Sequence, residues 1–97
     1  MLKIWRINGN SMSPEIQEGD FVVIYHIPFL KRFNLGDRII FRHPIYGVLI
    51  KTIKQIDWEN KLFWVAGESP HSLNSQKIGP IEAKQIFGKV IWHIHPN

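Results

Sequence analysis

Ser11 is the first residue whose type and setting could do chemistry. It stands in Gly9-Asn10-Ser11-Met12-Ser13-Pro14-Glu15-Ile16, between a strand-like stretch and a short helical-turn signal. A serine nucleophile needs an exposed hydroxyl, a backbone N–H free to face an oxyanion, and a rigid scaffold behind it. Gly9, two residues earlier, lets a substrate carbonyl approach the backbone closely. Read alone, however, a serine in a turn is usually a cap. Lys51 is the second candidate. A lysine in water has a pKa of about 10.4 and cannot take a proton from a hydroxyl. Burial disfavours its charge and lowers that value, and Val48, Leu49, Ile50 and Ile53 offer an apolar wall for it. A neutral Lys51 amine within reach of the Ser11 hydroxyl would serve as general base, then as acid to the leaving amine. The competing reading puts Lys51 on the solvent face of a strand, with Lys54, three positions on, facing the other way.

Other polar groups carry less. The chain has five histidines. His93 and His95 fall on one face of a strand at ligand-like spacing, but no third ligand accompanies them, so they read as exposed polar surface. No histidine sits in a motif for a Ser-His-Asp triad. Asp20 and Asp37 each follow a glycine, which predicts turn capping. Neither a metal nor a cofactor is expected.

The elements that must position these residues read as strands. Leu2 to Ile7 alternates apolar and polar residues and stops at Asn8-Gly9-Asn10. Phe21 to Tyr25 and Arg38 to Arg42 are each launched by Gly-Asp, which suggests strands turning sharply into a barrel or coiled sheet. Val48 to Ile56 predicts a long strand, Asp57 to Asn60 a hairpin turn, and Lys61 to Ala66 the return strand. Gly67 to Pro80 reads as irregular, and Gly88 to His95 as the last strand. Only Ser13 to Gln17 and Ile81 to Ile86 carry signals for single helical turns. The expectation is one all-β domain over residues 1–97.

Composition bounds the function classes. With 97 residues, 44% apolar and 21% charged, the chain suits one modest core. It has no Cys, which removes disulfides and thiolate zinc sites and suits a reducing cytoplasm. The net charge of +4 raises a nucleic-acid-binding β-barrel as an alternative, with aromatics stacking on bases. The cations are dispersed, however, and Trp5, Trp58, Trp64 and Trp92 read as core residues. No apolar run approaches the roughly 20 residues of a membrane span. Phe29-Leu30 beside Lys31-Arg32 reads either as a peripheral membrane contact or as a loop closing over the core.

The order of motifs resembles the type I signal peptidase superfamily, which includes the self-cleaving repressors of the SOS response. The boxes read Ser11-Met12-Ser13-Pro14, then Gly19-Asp20, then Ile50-Lys51-Thr52-Ile53. The last box reads Gly67-Glu68-Ser69 with Ser72-Leu73-Asn74-Ser75-Gln76 and on to Ile81. The resemblance implies coiled antiparallel sheets forming a partly open barrel, with Ser11 as nucleophile and Lys51 as base. It also implies Ser75, or less directly Ser72, orienting the lysine. The oxyanion hole would use the Ser11 N–H, with Gly9 where some relatives have a serine. Met12 and Ile50 would line shallow substrate pockets. Asn74, Gln76 and Glu68-Ser69 depart from the usual Asp, Arg and Asp-Asn.

The resemblance implies a protein precursor bound as an extended strand. A membrane signal peptidase needs an anchor, and a self-cleaving repressor an upstream DNA-binding domain; neither is expected in this sequence. The compact length and the Gly79-Pro80-Ile81 tail look most like the maturation proteases of nickel-type superoxide dismutase. Signal peptidase-like processing with a separate anchor is the alternative within the class.

Overall fold

The computed structural model describes residues 2–9, 12, 16–26, 33–67 and 75–96. Seven strands form one antiparallel sheet: β1 (Leu2–Arg6), β2 (Phe21–Tyr25), β3 (Arg38–His43), β4 (Gly47–Asp57), β5 (Leu62–Ala66), β6 (Ile81–Glu82) and β7 (Ile86–Ile94). Their spatial order is β1-β2-β7-β3-β4-β5-β6, so the sheet is open. β7 is the strand formed from the latest residues, yet it lies between β2 and β3 and pairs with both. One helical turn, α1 (Ser75–Ile78), stands between β5 and β6. No described helix is long and apolar enough to cross a membrane.

In β2 the pleat turns Val22 and Ile24 into the core while Tyr25 is exposed. β3 behaves differently, because the sheet coils until that strand is covered on both faces. Ile39 and Phe41 join a cluster with Phe33, Ile53, Phe63, Val65, Ile78 and Ile81. Ile40, pointing the other way, joins Ile7, Met12, Ile16, Val22, Ile24 and Ile50. Burying each such side chain contributes about 1.5–3 kcal/mol, and the two clusters together hold β1 to β7 in the coil.

Each Gly-Asp pair makes the predicted turn. Gly19 and Gly36 both adopt φ of 90°, a conformation that favours glycine. The Asp20 and Asp37 carboxylates then cap Gln17 N and Asn34 N, each at 2.9 Å. The Asp57–Asn60 hairpin turn also forms, with Asp57 Oδ1 and Oδ2 accepting from Asn60 N and Nδ2 at 3.1 and 2.8 Å.

Three expectations change. Ile81 to Ile86 is not one helical turn: β6 comes first, then a 3-10 turn over Ala83–Gln85, and Ile86 already begins β7. Pairing of Phe63 with Ile81 claims the start of that segment for the sheet. Gly67 to Pro80 contains α1 rather than irregular chain alone. The tryptophans are not core residues throughout, since Trp92 is 69% and Trp58 48% exposed. Trp92 shares an outer sheet face with Ile4, Leu2, Tyr25 and Ile94, all exposed, because the β1–β2 and β2–β7 registers put Ile4, Val23 and Trp92 in one row.

Candidate active site

The site is built on β4. Lys51 lies directly opposite Ile39 of β3 and two residues before Ile53, which places it on the sheet face of those two isoleucines. Its relative exposure is 1%, and it is among the largest fully buried side chains. Burial pulls its amine below the ordinary value of 10.5, and no carboxylate among the described residues offsets that. Ile50, Lys51, Thr52 and Ile53 are all buried in succession, whereas Lys54 is exposed. Burial thus holds Lys51 toward neutrality, whereas Lys54 stands in solvent.

Of the serine box, Met12 alone is described. Ser11 and Ser72 lie outside the described residues, as do Ser13, Pro14, Asn74 and Phe29 to Arg32. Gly9, Met12 and residues 16–20, on either side of Ser11 in the chain, are described. Gly9 has φ of 94° with open space where a Cβ would stand, and its N–H donates to Glu18 Oε1 at 3.3 Å. Met12 is 1% exposed in the cluster that contains Ile7, Ile16 and Ile50. Ile16 N donates to Met12 O at 3.0 Å. Ile7 N donates to Asp20 O at 2.8 Å and Gly19 N to Ile7 O at 2.9 Å, so both ends of the serine-bearing segment meet.

A cleft of about 310 Å³ lies where these parts converge. Trp5, Ile7 and Asn8 form one wall, and Ile40, Val48, Leu49 and Ile50 the other. Asn8 stands three residues before Ser11 in the chain, and Ile50 immediately precedes Lys51, whose side chain faces the other side of β4. Trp5 is braced from behind by Phe87, with ring centroids 5.6 Å apart, and Arg42 covers the Phe87 ring at 5.7 Å. Ile50 lines this cleft, and Met12 packs in the core cluster that Ile50 also joins.

Ser75 opens α1, and α1 is carried to the Lys51 face by Ile78, a member of the cluster that contains Ile39 and Ile53. The structure thus brings the elements of Ser75 and Lys51 to one cluster, and those of Met12 and Ile50 to the other. His43, 6% exposed at the end of β3, fixes α1 in place. Its Nδ1 accepts from Ile45 N and Tyr46 N at 3.1 and 3.2 Å. That leaves the proton on Nε2, which donates to Ile78 O at 2.8 Å. Sequence reasoning missed His43, and the His-Pro-Ile-Tyr-Gly turn that follows β3 was the signal available for it.

His95 is exposed and His93 partly so, in line with a polar surface, but both also reach Asp20. His93 Nε2 meets Asp20 Oδ2 at 2.5 Å, and His95 Nδ1 meets Asp20 Oδ1 at 2.6 Å. Burial pushes the Asp20 carboxyl up, but the Gln17 amide and the two imidazoles outweigh it and hold it at about 2. Among the described residues no group of three His, Cys, Asp or Glu side chains is arranged for a metal.

The described residues thus show an all-β coil that buries a lysine with no carboxylate among them to offset it. The Peptidase S24-like family matches residues 2–91, nearly the whole chain, and the chain belongs to that family. Its function is accordingly of the serine-peptidase type, within the superfamily that the ordered boxes resemble. No curated protein matches the sequence.

Proposed function

We propose that the protein is a Ser–Lys endopeptidase that removes a leader from a precursor protein, with Ser11 as nucleophile and Lys51 as general base. The observation that carries this reading is the burial of Lys51 without a carboxylate among the described residues. A lysine in that setting is disposed to be neutral, and only a neutral amine accepts a proton. Lys51 would take the Ser11 hydroxyl proton as Oγ attacks the scissile carbonyl. The ammonium then returns that proton to the leaving amine, and the neutral amine next deprotonates the water that releases the acyl group.

Ser75 would accept a hydrogen bond to hold the amine in line. The Ser11 N–H would face the oxyanion; the Gly9 N–H is already engaged by Glu18. The substrate would lie extended along the cleft between Trp5 and Ile50, bonded through its main chain. The precursor of a nickel-type superoxide dismutase is the particular substrate proposed, and an exported precursor is the second reading.

The test is cleavage of both precursors by the wild type, Ser11→Ala and Lys51→Ala. Each variant should lose roughly 10³-fold or more in rate. Full activity in Lys51→Ala overturns the mechanism, whereas cleavage of the exported precursor alone reassigns the substrate.

A further inference from the structure

The two Gly-Asp turns share a feature that their capping role does not require. Each precedes a strand that flanks β7, and each carboxylate reaches a basic side chain on β7. Asp37, before β3, meets Lys89 at 3.3 Å. Asp20, before β2, meets His93 and His95. The first pair is an ordinary half-exposed contact, with side chains 21% and 23% exposed, and such pairs contribute little. The second is built differently. Asp20 is 1% exposed, and both of its oxygens are engaged. Its Oδ2 also accepts from Gln17 N at 2.9 Å, so three N–H groups converge on one buried carboxylate.

What Asp20 holds is the segment that contains Ser11. Its carbonyl takes Ile7 N at one end. Its side chain takes Gln17 N at the other, next to Ile16, which is bonded back to Met12. We infer that His93 and His95, by clamping Asp20, are positioning residues for the Ser11 turn, so that the far end of β7 sets the placement of the nucleophile. This inference rests on the Ser–Lys reading for its catalytic consequence. The clamp itself is independent of that reading.

Of the cleft walls, only Ile7 and Asn8 adjoin the clamp, and Ile7 is bonded to the Asp20 main chain rather than to its carboxylate; Trp5, Ile40, Val48, Leu49 and Ile50 belong elsewhere. Loosening the clamp therefore displaces the nucleophile while leaving most of the substrate's apolar contacts in place. Small misplacements of a reacting group cost up to about 100-fold in rate. The expected signature is therefore a fall in kcat with KM nearly unchanged. A carboxylate needs donors rather than imidazoles as such, so glutamines at both positions should largely restore the rate.

The experiment compares wild type, the double variant His93→Ala/His95→Ala, and the double variant His93→Gln/His95→Gln. Measurements are kcat and KM on the cleaved precursor and amide hydrogen exchange at Gln17 and Gly19. The alanine pair should lower kcat by about 10- to 100-fold, with KM within about twofold, and speed Gln17 exchange by about tenfold or more. The glutamine pair should recover both. Should the alanine pair fold poorly, His95→Ala alone, at a side chain 58% exposed, gives the same signature in weaker form. Unchanged kcat in the alanine variants overturns the positioning role, and so does a loss that the glutamine pair fails to recover. If the wild type cleaves no precursor, the Ser–Lys reading fails on its own account; exchange then decides, and unchanged Gln17 exchange overturns the clamp.

Discussion

Lys51 is stabilised by nothing charged among its described neighbours, and that makes its cost and its use the same fact. In the unfolded chain the amine binds a proton up to its ordinary 10.5, while in the fold burial lowers that value. Between the two values the unfolded state binds more protons, so stability rises with pH across that interval and the penalty is greatest below it. Replacing the lysine by an apolar side chain of similar length removes the penalty. Lys51→Met should therefore be inactive yet more stable near neutral pH, by about 1 kcal/mol, and its stability should lose this pH slope. Chemical denaturation at several pH values checks this, and a less stable Lys51→Met would contradict it. Activity of the wild type should rise with pH as the lowered Lys51 titrates. The lysine was found in the sequence through its apolar flanks and its place among the ordered boxes. Its burial was not readable there, because four successive buried residues, Ile50 to Ile53, carry no alternation.

At the scale of elements, β7 supports the most. It pairs with β2 up to Tyr25↔Lys89 and with β3 from Ile39↔Lys89 onward, shifting register against both. Gly88 sits at that crossing. A Cβ added there would lie 2.8 Å from Tyr25 O and 3.0 Å from Tyr25 C, both backbone atoms that cannot swing aside. Gly88→Ala should cost about 1–3 kcal/mol, measured as a lower Tm, and unaltered stability would mean that the strands part more easily than their bonds suggest. All the principal strands were legible from β-branched runs and turn residues, and β2 agrees with its expected bounds. The Asp20 and Asp37 caps were legible too, because they bond within three residues. The histidine roles were not. His43 meets α1 across 35 residues of chain, and His93 meets Asp20 across 73. Such pairings follow from which strands become neighbours, and local patterning does not fix that.

For the whole molecule, the position of β7 governs how the chain must assemble. Of the described strands it is last in sequence, and it stands third from one end of a seven-stranded sheet. Until residues 86–94 are present, β1–β2 and β3 to β6 are two separate antiparallel pieces with facing open edges. A two-stranded ribbon is marginal by itself, and open edges pair readily with other chains. Contacts that join sequence positions so far apart make folding slow, on the order of milliseconds to seconds. A chain ending at Gln85 should show no cooperative unfolding transition, and a peptide spanning 86–95 should restore one on mixing; a cooperative transition in the shorter chain would disprove this. On a ribosome the same arrangement acts as a delay. Ser11 and the lysine strand are synthesised before β7, but they belong to pieces of sheet that β7 alone joins among the described strands. The parts proposed to act together are therefore assembled only once β7 has emerged.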